Sequence, residues 1–197
     1  MNMDTPMQLE KFCVDYAHKL GDVLDSSDWS VVAQLGQEMR DCWAAGQQVF
    51  FCGNGGSAGN AIHLANDFLY GIAKRTGGGM KVQALSANPA VITCLANDVG
   101  YDHIYSEQLA VLGQSGDLLV VLSGSGNSPN ILRVLEQAKT MSVKSCAILG
   151  YTGGRCTSLA DFSIHFPVDD MQIAEDMQLV VGHMLMKWLY QNRPNAS

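Results

Sequence analysis

The stretch Leu118-Leu119-Val120-Val121-Leu122-Ser123-Gly124-Ser125-Gly126-Asn127-Ser128-Pro129-Asn130 is an apolar strand that stops abruptly in a serine-glycine loop leading into a helix. Serine hydroxyls, small residues that admit a close backbone approach, and the free N–H groups of a helix start together favour a bound anion without a lysine. An earlier segment, Val49-Phe50-Phe51-Cys52-Gly53-Asn54-Gly55-Gly56-Ser57, has the same strand-loop-helix order. Two such loops in one sheet suggest a phosphorylated small molecule held between them. Taken singly, each loop also reads as ordinary turn chemistry: glycines for positive φ, and serines for turn hydrogen bonds and a helix cap.

Working outward, short apolar runs at Val49 to Cys52, Val82 to Leu85, Leu118 to Leu122, Ser145 to Leu149 and Phe162 to Phe166 read as buried strands. Helical patterns separate them at Ser57 to Tyr70, Pro89 to Leu95, Tyr105 to Leu112 and Ser128 to Met141, and another follows at Gln172 to Tyr190. This alternation predicts an α/β three-layer sandwich, a mostly parallel five-stranded sheet flanked by helices. Helices from Pro6 to Leu24 and from Trp29 to Ala45, the second capped by Gly46, precede the sheet. They are more apolar than one sheet face requires, which predicts a homo-oligomer built on the N-terminal helices. The expected division is one domain over 1–197, with a helical segment at 1–46 and an α/β core at 47–192. Ala73 to Gly79 is expected to be a mobile connection, and the tail from Asn192 a frayed end.

The net charge of -7, from 12 basic and 19 acidic residues, excludes broad attraction to nucleic acid or to an anionic membrane. The polar start Met1 to Glu10 does not resemble a secretory leader, and no apolar run reaches spanning length, so a soluble cytoplasmic protein is expected. Six cysteines without a C-x-x-C pair predict reduced, mostly buried thiols. No Gly-Lys-Ser or Gly-Lys-Thr supports a P-loop. Gly53 to Ala58 satisfies a permissive dinucleotide pattern, but the strand after it lacks the carboxylate that would meet a ribose.

Ligands in open α/β sheets bind outside the carboxyl ends of the strands. Both loops lie there, and Asn97 and Asp98 are placed to reach the same rim. His63 and Asp67 stand four apart on one helix face, while Glu175 and His183 are eight apart on the last helix, about 80° from eclipsed. If the faces converge, His63, Asp67, Glu175 and His183 form a site for a borderline divalent metal such as zinc, or an acid/base pair. The alternative is a solvated ion pair beside a satisfied core histidine. His18, His103 and His165 have no matching carboxylate spacing and read as structural or exposed.

Read in order, Cys52 to Ser57 with Ala61-Ile62-His63, then Ala96-Asn97-Asp98, then Gly116-Asp117 with Leu122 to Ser128, and a late helix carrying His183, resemble the sugar isomerase (SIS) family, most closely its phosphoheptose isomerase branch. The resemblance implies the SIS fold and interconversion of D-sedoheptulose 7-phosphate and D-glycero-D-manno-heptose 7-phosphate through an enediol. It also implies a homotetramer with sites between subunits, and a Zn2+ ion. By motif, Asn54, Gly55, Gly56 and Ser57 would touch the sugar, with Asn97 and Asp98 positioning it, and Ser123, Gly124, Ser125 and Ser128 would hold the phosphate. Asp67 and His183 are the acid/base candidates, and His63, Asp67, Glu175 and His183 the metal set. Asp67 stands where the family has glutamate, Glu175 where it has glutamine, and Gly71 where it has arginine. Two alternatives belong to other classes: a non-catalytic SIS protein that binds the replication initiator, and a sugar-phosphate-binding regulator.

Overall fold

The computed structural model describes residues 5–74 and 77–194. Two helices, α1 (Thr5–Ser26) and α2 (Ser30–Ala44), lead into an alternating array. It runs β1 (Gln48–Gly53), α3 (Gly56–Leu69), β2 (Lys81–Ala84), α4 (Pro89–Asp98), α5 (Ser106–Leu112), β3 (Leu118–Ser123), α6 (Pro129–Thr140), β4 (Lys144–Leu149), α7 (Cys156–Leu159), β5 (Phe162–His165) and α8 (Met171–Gln191). The strands form one sheet in the order β2-β1-β3-β4-β5, and every pairing is parallel. The expected five-stranded sheet is therefore present and wholly parallel.

Alternation along the strands divides the core into two layers. Val49, Phe51, Val120, Leu122 and Ile148 face the layer of α2, α3 and α8, where Leu35, Leu64, Phe68 and Val181 close over them. Phe50, Cys52, Leu119, Val121 and Ala147 face the layer of α5 and α6, filled by Leu109, Ile131 and Leu135. All six residues of β3 are buried, as a central strand covered on both sides must be. Each such leucine or valine contributes about 1.5–3 kcal/mol by leaving water.

Local signals mark the element ends. Gly46, at φ +67, follows the last turn of α2 and donates to the Trp43 carbonyl. The Asn88 carboxamide accepts from Ala90 and Val91 N–H at 3.1 and 3.3 Å, with Pro89 as the first residue of α4. That helix runs to Asp98, beyond the expected end at Leu95. The four-residue α7 was not foreseen, because one turn shows no periodicity.

Two expectations of looseness fall partly on residues outside the description. In the connection from Ala73 to Gly79, Arg75 and Thr76 lie outside the described residues, but Ala73 is buried within a 3-10 turn, Gly71–Ala73. In the C-terminal tail, residues 195–197 lie outside the description, whereas Arg193 is anchored: it donates to the Ile72 carbonyl and lies 4.9 Å over the Tyr190 ring. Of the six unpaired cysteines, Cys42, Cys52, Cys146 and Cys156 are buried, and Cys13 and Cys94 are exposed.

Candidate active site

The sheet starts with β1, adds β2 on one side, then crosses to place β3 on the other. The order reverses between β1 and β3, which pair from Val49↔Leu118 to Gly53↔Leu122. In open α/β sheets a ligand site lies at the carboxyl ends of the strands that flank such a reversal. A cleft of about 260 Å³ opens there, lined by both loops, Met171 and Glu175.

The serine loop is shaped by its own hydroxyls. Ser123 Oγ accepts from Gly126 N–H at 3.1 Å, and Ser125 Oγ accepts from Asn127 N–H at 3.3 Å. Each hydroxyl proton remains available to donate into the cleft. Ser128 is the N-cap residue of α6, yet its side chain makes no cap bond, and it lines the cleft. Gly126 needs to be glycine: at φ +66, a Cβ would run into the Gly153 carbonyl of the facing loop.

The first loop is built differently. Ser57 is buried, and its hydroxyl donates to Glu175 Oε1 at 3.3 Å while accepting from Gln178 Nε2 at 3.0 Å. Gln178 Oε1 in turn accepts from Asn60 at 3.0 Å. Ser57 thus joins two helices through its hydroxyl while lining the floor of the cleft. Asn54 faces the cleft and exchanges amide hydrogen bonds with the buried Asn130 of α6. Tyr101 donates to Asn54 Oδ1 at 3.2 Å, and the buried Tyr105 hydroxyl donates to the Gly53 carbonyl. Burial pushes the Tyr105 phenol upward, so it stays a donor. Asn97 and Asp98, expected at the rim, bond to each other at 2.7 Å on the exposed end of α4, and Cys94 donates to Asp98. Neither lines the cleft.

From the cleft, α3 and α8 run side by side in the same direction. Ser57 meets Gln178, and about two turns further, at the level where Leu64 meets Gly182, His63 and Asp67 meet His183. There the Nε2 atoms of the two imidazoles stand 3.0 Å apart, and Asp67 Oδ2 lies 3.5 Å from His63 and 3.6 Å from His183. The expected convergence of these three groups is present. Their ligand atoms all lie within 4.8 Å of one another. Two imidazoles and a carboxylate are a donor set for zinc or another borderline divalent cation, with coordination positions left open.

Glu175 does not join them, and the expected fourfold metal set fails within one chain. The angle of about 80° between positions eight apart allowed a common face, but eight residues also rise about 12 Å along the axis, several times a metal–ligand bond. Glu175 instead lies at the start of α3, where a Cβ on Gly56 would collide with its carboxylate. His103 departs from expectation in a smaller way: Glu107, one turn on, lies 3.7 Å from its Nδ1. Asn130, Tyr101, Tyr105 and Gln178 had no signal in the sequence beyond their polarity.

The sequence matches the SIS domain family over residues 14–150. It is 39% identical to the phosphoheptose isomerase of Akkermansia muciniphila over 154 residues, covering 78% of this chain and 81% of that protein. It is 35% identical to the phosphoheptose isomerase of Rhodospirillum rubrum over 181 residues, covering 90% and 93%. Among solved structures, a phosphoheptose isomerase from Francisella tularensis superposes with a TM-score of 0.87 at 26% identity, over 96% of this chain and all of that one. With the sheet order, the cleft between its loops and the His63–Asp67–His183 cluster in view, these likenesses place the chain in the SIS domain family, in its phosphoheptose isomerase branch.

Proposed function

We propose that this chain is an aldose–ketose isomerase that converts D-sedoheptulose 7-phosphate to D-glycero-D-manno-heptose 7-phosphate through an enediol. The observation that carries the mechanism is the convergence of His63, Asp67 and His183 on two helices that both start at an anion-binding cleft. Ser123, Ser125 and Ser128 seat the phosphate with their hydroxyl protons and fix one end of the sugar, so that the other end is presented to a base in a set orientation. Asn54, held by Asn130 and Tyr101, is positioned to bind sugar hydroxyls.

Isomerisation moves one proton between neighbouring carbons. Asp67 takes it from the carbon beside the carbonyl, and His183 returns a proton to the adjacent carbon. His63, Asp67 and His183 would also hold a divalent cation, zinc being the best match to the donor set. Such an ion supplies Lewis-acid polarisation of the carbonyl oxygen. Aldose–ketose exchange measured in wild type, Asp67→Asn and His183→Ala tests this assignment. Loss of about 100-fold or more in the aspartate variant is expected, and equal rates in all three would overturn it.

The assembly is read as a homotetramer formed through the N-terminal helices. Support comes from α1, on which Met7, Leu9 and Phe12 are 70%, 63% and 66% exposed. A cytoplasmic setting is supported by six unpaired thiols. Among the described residues no helix is long and apolar enough to cross a membrane.

A further inference from the structure

Both loops of the cleft end in helix starts, and both helix starts attract anions. Only one of them is open. At the start of α3 the Glu175 carboxylate lies against Gly56 and accepts from the Ser57 hydroxyl at 3.3 Å. It is held in place from behind: Asn60 donates to the Glu175 carbonyl and to Gln178 at 3.0 Å each, and Gln178, 1% exposed, donates to Ser57. The start of α6, with the serine loop before it, carries no such internal anion.

We propose that Glu175 is a specificity-determining residue: it occupies the anion seat of α3, so that the cleft takes a phosphate at the serine loop alone and rejects esters with a second negative charge beside that phosphate. This rests on the serine loop being the phosphate seat. Glu175 is the only ionisable residue lining the cleft among those described, and no lysine or arginine lines it. A second anion would therefore meet a like charge with no lysine or arginine of this chain in the cleft to offset it. A hydroxyl in the same place finds an acceptor, since a carboxylate offers about four lone-pair sites and only one is taken by Ser57. The substrate class selected is a monophosphate ester whose carbons next to the phosphate carry neutral hydroxyls.

A matched pair of fragments tests this without turnover. Glycerol 3-phosphate and 3-phosphoglycerate have the same length and differ in ending as CH2OH or carboxylate. Dissociation constants from calorimetry are expected to favour glycerol 3-phosphate by about tenfold in wild type, the scale of one like-charge contact in a partly solvated cleft. Glu175→Gln should bring the ratio to within about threefold by admitting 3-phosphoglycerate. Glu175→Ala should do the same, which covers a folding failure of the first variant. Ser128→Ala should weaken both fragments in parallel. An unchanged ratio in both Glu175 variants, with Ser128→Ala still losing both fragments, overturns the role of Glu175 alone. Absence of any fragment binding to wild type overturns the phosphate seat as well, and isomerase turnover assayed on the same protein is judged separately.

Discussion

Asn54 and Asn130 grip each other through two reciprocal amide hydrogen bonds, each 2.8 Å long. One residue belongs to the loop after β1, the other to the first turn of α6, so this pair sets the width of the cleft between its two walls. Asn130 is 1% exposed.

Asn130→Ala should therefore leave the Asn54 amide short of partners and loosen the cleft. A stability loss of about 1–3 kcal/mol in denaturant melts is expected. A rise of about tenfold in KM, with kcat changed less, should accompany it because the loops misplace the phosphate. A fall in kcat with KM unchanged would assign Asn130 to the chemistry instead.

At Gly182 α8 packs tightly on α3, and a Cβ there would press into the Leu64 side chain. Gly182→Ala should separate the helices and draw His183 away from His63, costing about 1–3 kcal/mol as an overpacked core does. The double variant with Leu64→Ala should regain activity lost in the single variant, since it clears the space. No recovery in the double variant would show that Gly182 acts in another way.

The cluster of His63, Asp67 and His183 predicts a metal stoichiometry. Protein dialysed against zinc should retain about one ion per chain, and His63→Ala, which leaves two donors, should lose more than the roughly 10–100-fold in affinity that follows removal of an outer-shell partner alone. Glu175→Gln should leave the affinity unchanged, because Glu175 lies at the other end of the helix pair. Elemental analysis and competition with a chelator read both results.

The first helix is fastened to α8 by two polar contacts that respond to pH in opposite directions. Lys19 Nζ donates to Asp170 at 2.8 Å and, with backbone N–H groups of α8, holds that carboxyl below its usual range. This contribution is present above the ordinary carboxylate range and is lost as pH falls through the lowered value. Asp170 also caps α8 by accepting from Gln172 and Ile173, so Asp170→Ala should cost about 1 kcal/mol near neutrality. At the alkaline end, the 2.6 Å hydrogen bond to Asp176 pushes the Tyr16 phenol up to about 12. That stabilisation is whole below about pH 10, the ordinary tyrosine value, and disappears as pH rises through the raised one. Melting temperatures of wild type and Tyr16→Phe should converge across that alkaline window, and curves that stay parallel would contradict it.

The sheet was legible because its central strands are continuous apolar runs closed by glycine and serine, as at Leu118 to Gly124. So was the cluster of His63, Asp67 and His183, since helical spacing put the first two on one face and the fold had only to bring α8 alongside. Glu175 was misplaced because angular position was counted and axial rise was not. The tie between Ser57 and Gln178 was not legible, because a serine after a glycine turn looks alike whether or not its hydroxyl meets a glutamine 121 residues away. Asn130 and Tyr105 serve through contacts 76 and 52 residues away in the chain, which no local pattern encodes.

The distribution of thiols carries a practical consequence. Burial raises Cys42 and Cys156 to about 11 and pushes Cys52 and Cys146 up as well, so all four are protected from alkylation in the folded protein. Cys94 is exposed, but the neighbouring Asp98 also raises its thiol. Cys13 remains as an exposed thiol on α1, a natural attachment point for a fluorophore that would report the movements of that helix and its encounters with other copies, without any engineered residue.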